Sequence, residues 1–163
     1  LILVGEWMSP KFLKNEKDRL TLVHELDLKG LWETVEAFYI DQDGDPAYLL
    51  GNWGINLTFK ASREYPMKLY FNDFDENGQT ETVTAMEKNG KYYPLETLDG
   101  LASQLVFLKK KYTSYKSFAG KTMKELFGED MLKKSTLLEV NILKSGYLRN
   151  DNGTFVFVPF RNE

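Results

Sequence analysis

Cysteine is missing from the 163-residue sequence, and histidine occurs only once. Without cysteine, the chain forms no disulfide and offers no thiolate ligand to a metal. The apolar runs are too short to span a bilayer or to form a signal peptide. The formal net charge of −3 provides no basic surface for nucleic acid or an anionic membrane. We therefore expect no nucleic-acid partner and no membrane insertion.

The remaining composition is that of a folded, strand-rich domain. Hydrophobic residues make up 42% of the chain, an ordinary value for a globular protein with a core. The aromatic share of 14%, mostly Tyr and Phe, favours strands over helices. Because the chain starts inside an apolar, strand-like run and without Met, we expect it to be a piece of a longer protein.

Three internal repeats indicate a fold built from similar units. Residues 3–7 recur as residues 49–53, and residues 40–45 align with residues 74–79. Residues 12–15 and 20–23 recur at one constant offset of 135, as residues 147–150 and 155–158. A spacing in the forties between strand-like motifs is typical of a four-stranded propeller blade. The unequal offsets indicate an insertion.

The insertion is predicted to be helical and to cover about residues 97–135. Thr122 and Glu125 form a capping-box pattern that opens a short helix, Gly128 ends it, and another helix follows over residues 129–134. Thr97 or Asp99 is placed to cap an earlier helix. That helix has one apolar stripe at steps of three or four: Leu98, Leu101, Leu105, Leu108 and Tyr112.

An acidic loop over residues 73–81, DFDENGQTE, lies between predicted strands at residues 67–71 and 82–86. Numbered from its first residue, it has oxygen-bearing side chains at positions one, three and five, glycine at six, a backbone carbonyl at seven and a carboxylate at nine. Calcium takes about six to eight hard oxygen ligands, and this spacing supplies most of them. The predicted structural Ca²⁺ ligands are Asp73, Asp75, Asn77, Gln79 and Glu81.

An EF-hand and a metal-free polar turn are the two alternatives to a strand-loop-strand calcium site. An EF-hand would need a glutamate at position twelve, where Thr84 stands, and helices on both sides. A polar hairpin turn around Asn77 and Gly78 with solvated acids remains open. An earlier acidic turn at residues 39–47 has aspartates at 41, 43 and 45, but Tyr39 and Ala47 replace two ligands. We expect this turn to hold no metal.

Together, residues 4–8, residues 50–54 and the DFDENGQTE loop resemble the FG-GAP (VCBS-type) repeat proteins, whose blades build propellers like the integrin α-subunit head. Residues 93–95, 126–127 and 138–141 are similar to large exported members from Bacteroidetes-type bacteria that carry a helical insertion. The resemblance covers essentially the whole chain, residues 1–163, as one β domain. It implies a structural calcium role for the five loop residues.

The resemblance implies a mainly β fold with a helical insertion, consisting of about two to three antiparallel, propeller-like blades from a larger propeller. It also implies an extracellular, cell-surface or periplasmic location. The expected function is non-catalytic: a calcium-stabilised binding or adhesion module for a protein or glycan. The remaining blades of the parent protein or a second copy would be partners, because a partial propeller leaves sheet edges exposed.

A carbohydrate-binding or carbohydrate-active accessory domain is the alternative. Trp32 is predicted as a surface ring for stacking on sugar, whereas Trp7 and Trp53 recur at one repeat position and are predicted to pack inside. His24 lies in a strand-like run without a nucleophile motif, which favours a structural role over a catalytic one. The acids of the two turns are better explained as ion ligands than as a glycosidase pair.

Overall fold

The structure, a computed structural model, describes residues 1–40 and 44–161. Within those ranges the protein is mainly β, as its aromatic-rich composition predicts, and its strands pair antiparallel wherever a register is given below. The strands and helices, in chain order, are β1 (Ile2–Leu3), β2 (Glu6–Met8), β3 (Lys11–Glu16), β4 (Arg19–Glu25), β5 (Gly30–Leu31), β6 (Thr34–Phe38), β7 (Ala47–Gly51), β8 (Met67–Asn72), β9 (Glu81–Lys88), β10 (Lys91–Pro94), α1 (Leu98–Gln104), α2 (Val106–Lys111), α3 (Tyr115–Phe118), α4 (Met123–Phe127), α5 (Glu129–Lys134), β11 (Thr136–Val140), β12 (Gly146–Asp151) and β13 (Thr154–Pro159).

The chain divides into two compact units, each with its own hydrophobic cluster. The first unit consists of Leu1–Glu64 and Val140–Glu163, and the second of Tyr65–Glu139. The first contains sheets of strand order β1-β3-β4, β2-β5 and β13-β12-β7-β6. The second carries the sheet β10-β9-β8-β11 and all the described helices. Within the described residues, none of the sheets closes into a barrel.

The longest sequence repeat corresponds to two hairpins of matching register. In β3 and β4, Leu13 pairs with Leu22 and Glu16 with Arg19. The positions 135 residues later pair in the same way in β12 and β13, where Leu148 lies opposite Phe157 and Asp151 opposite Thr154. Both hairpins turn through two residues, and the first of these has positive φ in each case (Lys17, 57°; Asn152, 52°). The two segments are therefore structural as well as sequence repeats.

Aromatic packing joins the two repeated hairpins in the core of the first unit. The Phe12 ring of β3 stacks on the Phe155 ring of β13 with centroids 4.1 Å apart. Trp32 meets Phe157 edge to face at 5.9 Å. Leu50 and Leu148 complete the buried cluster. Rings of this size bury much apolar area, so this cluster is the main source of stability in the unit.

The helices of the second unit cover its sheet and supply most of its core. The predicted stripe Leu98, Leu101, Leu105, Leu108 and Tyr112 is buried in one cluster with Tyr70, Val83 and Ala85 of the sheet. The stripe does not lie on one helix, however. The chain leaves helical geometry at Leu105 (φ −121°, ψ 75°), which separates α1 from α2. The prediction of a single helix is wrong here, although the apolar face is continuous.

Local capping chemistry fixes where the helices begin and end. The Thr97 hydroxyl accepts a hydrogen bond from the Gly100 N–H at 3.2 Å, as predicted for the start of α1. Thr122 and Glu125 form the predicted capping box at α4. Gly128 ends that helix at φ 80°, a conformation that costs a residue with a Cβ atom about 1 kcal/mol or more.

The capping box makes the stability of α4 depend on pH. Hydrogen bonds from the Thr122 N–H (2.9 Å) and the Thr122 hydroxyl (2.8 Å), helped by Lys121, lower the pKa of Glu125 from 4.5 to about 2. A lowered pKa in the folded state means that Glu125 stabilises α4 above pH 4.5 and that this contribution disappears as pH falls through about 2. A carboxyl titration followed by NMR should have its midpoint near pH 2.

Glu125→Gln is the matched variant, because an amide oxygen can accept the same hydrogen bonds without titrating. The melting temperature of this variant should depend less steeply on pH than that of the wild type between pH 4.5 and 2. A Glu125 midpoint close to 4.5 would contradict the box geometry. Because the Glu125 side chain is exposed, its protonation should destabilise α4 and leave the core of the second unit intact.

Candidate metal centre

The acidic loop connects two paired strands of the second unit. β8 ends at Asn72, β9 begins at Glu81, and these two residues lie opposite each other in the ladder. The strands flanking the loop are therefore confirmed, and the hairpin brings the first and last predicted ligands close together. The one apolar residue between the acids, Phe74, is 5% exposed and packs on the Phe127 ring at 4.5 Å. This ring anchors the loop to the core of its unit.

Asp73 organises the loop backbone. Its Oδ1 accepts a hydrogen bond from the Asn77 N–H at 2.9 Å, and its Oδ2 accepts one from the Gly78 N–H at 2.8 Å. Gly78, at position six, has φ 89°, which any residue with a Cβ adopts only at a cost. Each carboxylate oxygen still has a lone pair after accepting one hydrogen bond. Asp73 can therefore bind a cation while it holds the turn.

Glu81 is a buried carboxylate with a fixed orientation. It is 5% exposed, and its Oε2 accepts a hydrogen bond from the Phe74 N–H at 2.9 Å. Phe74 thus positions the loop in two ways, through its ring and through its N–H. The predicted ligand set did not include this residue. An aromatic side chain in the middle of an otherwise polar loop is the sequence signal that indicates such an anchor.

The three carboxylates meet at one point. One oxygen from each of Asp73, Asp75 and Glu81 lies within 4.8 Å of the others. Oxygens that share one Ca²⁺ at about 2.3–2.6 Å can be at most about 5 Å apart, so the cluster fits a single ion. Asp75 Oδ1 is buried and has no hydrogen-bond partner in the protein. A buried carboxylate oxygen without a partner costs stability unless a cation or water satisfies it.

The other two predicted ligands lie on the exposed side of the loop. Asn77 and Gln79 are both exposed, and the Asn77 side-chain oxygen accepts a hydrogen bond from the Gln79 N–H at 2.8 Å. The structure therefore gathers Asp73, Asp75 and Glu81 into one carboxylate triad and places Asn77 and Gln79 beside it. Three negative charges this close repel one another, and a divalent cation would offset that repulsion.

The second acidic turn is described only in part. Its aspartates at positions 41 and 43 lie outside the described residues. Tyr39, which occupies its first ligand position, is 67% exposed. Ala47, at its ninth position, lies in β7 and is 2% exposed. Tyr39 has only a neutral phenol hydroxyl and Ala47 has no side-chain oxygen, so neither replaces a carboxylate ligand there.

The tryptophans are arranged differently from the prediction. Trp32, the expected sugar-stacking ring, is 2% exposed and belongs to the core of the first unit. Its indole N–H donates to the Leu28 carbonyl oxygen at 3.2 Å. The prediction of a surface ring is wrong, because Trp32 follows the buried strand β5. Trp53 is 39% exposed, so its predicted interior packing is also wrong.

His24 lies in β4 and its ring centroid is 5.7 Å from that of Phe12. It contacts an aromatic core residue and is far in sequence from the carboxylate triad. None of the helices in residues 1–40 and 44–161 is both long enough and apolar enough to cross a membrane.

Comparisons with protein-family models, curated proteins and solved structures gave no match to this chain. The geometry of the carboxylate triad is therefore the principal basis for a functional conclusion.

Proposed function

We propose that this chain is a non-catalytic, calcium-stabilised propeller segment that acts as an extracellular binding or adhesion module. The observation that supports metal binding is the buried Asp75 Oδ1, which has no hydrogen-bond partner although it lies in a cluster of three carboxylates. A bound Ca²⁺ would supply the missing partner and neutralise two of the three charges. The residues that would hold it are Asp73, Asp75 and Glu81, with Asn77, Gln79 and water completing the coordination.

The propeller architecture is supported by sheet size and by repetition. Two of the sheets have four strands, the number in a propeller blade. The hairpins β3-β4 and β12-β13 repeat in both sequence and register. The extracellular location is supported only by the resemblance of the repeats and of the acidic loop to exported repeat proteins.

The ion would stabilise a hairpin and take no part in a reaction. It binds the folded loop and not the open chain, so its binding free energy adds to the stability of the second unit. At a calcium concentration about 100 times the dissociation constant, the gain is about 2.7 kcal/mol. For a unit of the size of Tyr65–Glu139, that gain corresponds to a rise in melting temperature of roughly 10–20 °C.

Melting in excess calcium and in excess chelator tests the proposal. The helices of the described residues all lie in the second unit, and the three tryptophans all lie in the first. Far-ultraviolet circular dichroism of the helices should therefore show the calcium-dependent rise, and tryptophan fluorescence should show a smaller one. Magnesium is the control, because it prefers a smaller octahedral site and keeps its water. Equal midpoints with calcium and with chelator would remove the metal from the function.

A further inference from the structure

Two residues beside the first predicted ligand, Asn72 and Phe74, connect the acidic loop to the helices α4 and α5. Asn72 is the last residue of β8 and precedes Asp73, whereas Phe74 follows Asp73. The loop and both helices belong to the second unit. The five predicted ligands lie in the loop itself, so the helices would act on the site through these two connecting residues.

The Asn72 side chain joins the start of the loop to α5. Its Nδ2 group donates hydrogen bonds to the Met131 carbonyl oxygen at 3.3 Å and to the Ser135 hydroxyl at 3.2 Å. Its Oδ1 accepts a hydrogen bond from the Asp73 N–H at 3.0 Å. Because one planar amide makes all three hydrogen bonds, it fixes the backbone of Asp73 relative to the C-terminal end of α5.

Phe74 joins the other side of the triad to α4. Its ring packs on that of Phe127, the last residue of α4, with the centroids 4.5 Å apart. Its N–H donates a hydrogen bond to Glu81 Oε2 at 2.9 Å. Phe74 is buried, so its ring has little room to move while Phe127 stays in place. The orientation of the Glu81 carboxylate therefore depends on the position of α4.

The helices α4 and α5 are joined directly to each other. Gly128 is the single residue between them. Lys124 of α4 forms an ion pair with Glu129 of α5, with Nζ and Oε2 2.6 Å apart. The same pair of helices therefore supports Asp73 on one side of the triad and Glu81 on the other.

We propose that α4 and α5 determine the calcium affinity of the carboxylate triad through Asn72 and Phe74, an inference that rests on the calcium site proposed above. Both are positioning residues, which hold Asp73 and Glu81 in the arrangement that one ion requires. Replacing a residue that orients metal ligands typically weakens metal binding by about 10–100-fold. Thermodynamic linkage makes the coupling reciprocal, so calcium binding stabilises the helix pair by the same factor as the ordered helix pair strengthens calcium binding.

Calorimetric titration of the full chain with calcium tests the coupling. Phe127→Leu removes the ring that holds Phe74 but keeps an apolar side chain, and Asn72→Ala removes the connection to α5. Each should weaken calcium binding by about 10-fold or more. Phe127→Tyr keeps the ring and should bind calcium as the wild type does. Phe107→Leu is the matched control and should also keep the wild-type affinity, because Phe107 packs against the same core cluster from a different helix, α2.

Hydrogen exchange of the backbone amides measures the reciprocal effect of calcium on the helices. In the wild type, calcium should slow exchange in residues 123–134 by about 10-fold or more, and it should slow exchange in α1, residues 98–104, by less. In Phe127→Leu the slowing in residues 123–134 should be much smaller. Equal slowing of both ranges in the wild type would indicate a general stabilisation of the unit and would overturn the coupling.

The titrations separate this inference from the calcium site on which it rests. A wild-type chain that binds no calcium overturns the proposed function, and the coupling falls with it. A wild type that binds calcium while Phe127→Leu and Asn72→Ala bind it equally tightly overturns the coupling alone. Phe107→Leu losing as much affinity as these variants would also overturn it, since the loss would then reflect lower stability of the whole unit.

Discussion

Replacing Trp32 with alanine is expected to lower the free energy of unfolding of the first unit by about 3–5 kcal/mol. The side chain is 2% exposed, and a Cβ atom added at Gly30 would lie only 2.5 Å from its Cε2 atom, so the indole packs directly against the backbone of β5. Its loss leaves a cavity beside Phe157 and an unpaired Leu28 carbonyl. The cavity and the unpaired carbonyl both lower the free energy of unfolding.

The matched control for this substitution is Trp53→Ala. Trp53 is 39% exposed and has one ring neighbour, Phe59, at 5.9 Å. Its removal should cost about 1 kcal/mol or less. Urea unfolding followed by the remaining tryptophan fluorescence measures both variants on the same unit. If the Trp53 substitution costs as much as the Trp32 substitution, the assignment of the core is wrong.

The tryptophans also show where prediction from the sequence fails. Trp7 and Trp53 share a repeat position, which predicts that both pack inside, but Trp53 is 39% exposed. Burial depends on which face of a sheet is covered, and that depends on strands distant in the chain. β7 pairs with β12, whose residues are almost a hundred positions away. Such pairing is not encoded in the local pattern around a single tryptophan.

Features determined by short-range chemistry were predictable. The caps at Thr97 and Thr122 were predicted, because each depends on residues within one helical turn. The helix break at Leu105 was not predictable, because an apolar stripe at steps of three or four continues across it. An apolar stripe indicates which side chains face the core. It does not indicate whether the helical backbone hydrogen bonds continue from one of these residues to the next.

The candidate metal centre also combines features that are local in sequence with features that depend on distant residues. Its acidic spacing is local, so the sequence places Asp73, Asp75 and Glu81 among the five predicted ligands, and the structure brings these three together. The anchoring of the loop by Phe74 depends on Phe127, which belongs to a helix inserted later in the chain. The burial of Asp75 Oδ1 without a hydrogen-bond partner is likewise a property of the folded loop. The property that most favours a cation was therefore visible only in the folded chain.

Asp75→Asn is expected to affect stability with opposite signs in the presence and absence of calcium. Without calcium the substitution should raise the free energy of unfolding by about 1 kcal/mol, because it removes one of three mutually repelling charges. With calcium it should weaken binding by about 100-fold, since it removes a charged ligand. At a fixed excess of calcium, that loss amounts to about 2.7 kcal/mol of stabilisation.

Glu76→Gln is the control for that substitution, because it removes one charge from the same loop at an exposed position outside the triad. Glu76→Gln should keep the full calcium-dependent rise in melting temperature, whereas Asp75→Asn should lose most of it. Calorimetric titration with calcium measures the affinities directly, and melting with chelator measures the metal-free stabilities. A full calcium response in Asp75→Asn would show that the ion binds elsewhere. A fall in metal-free stability would show that the Asp75 carboxylate is satisfied within the protein, because the relief of charge repulsion would then be outweighed by the loss of a favourable contact.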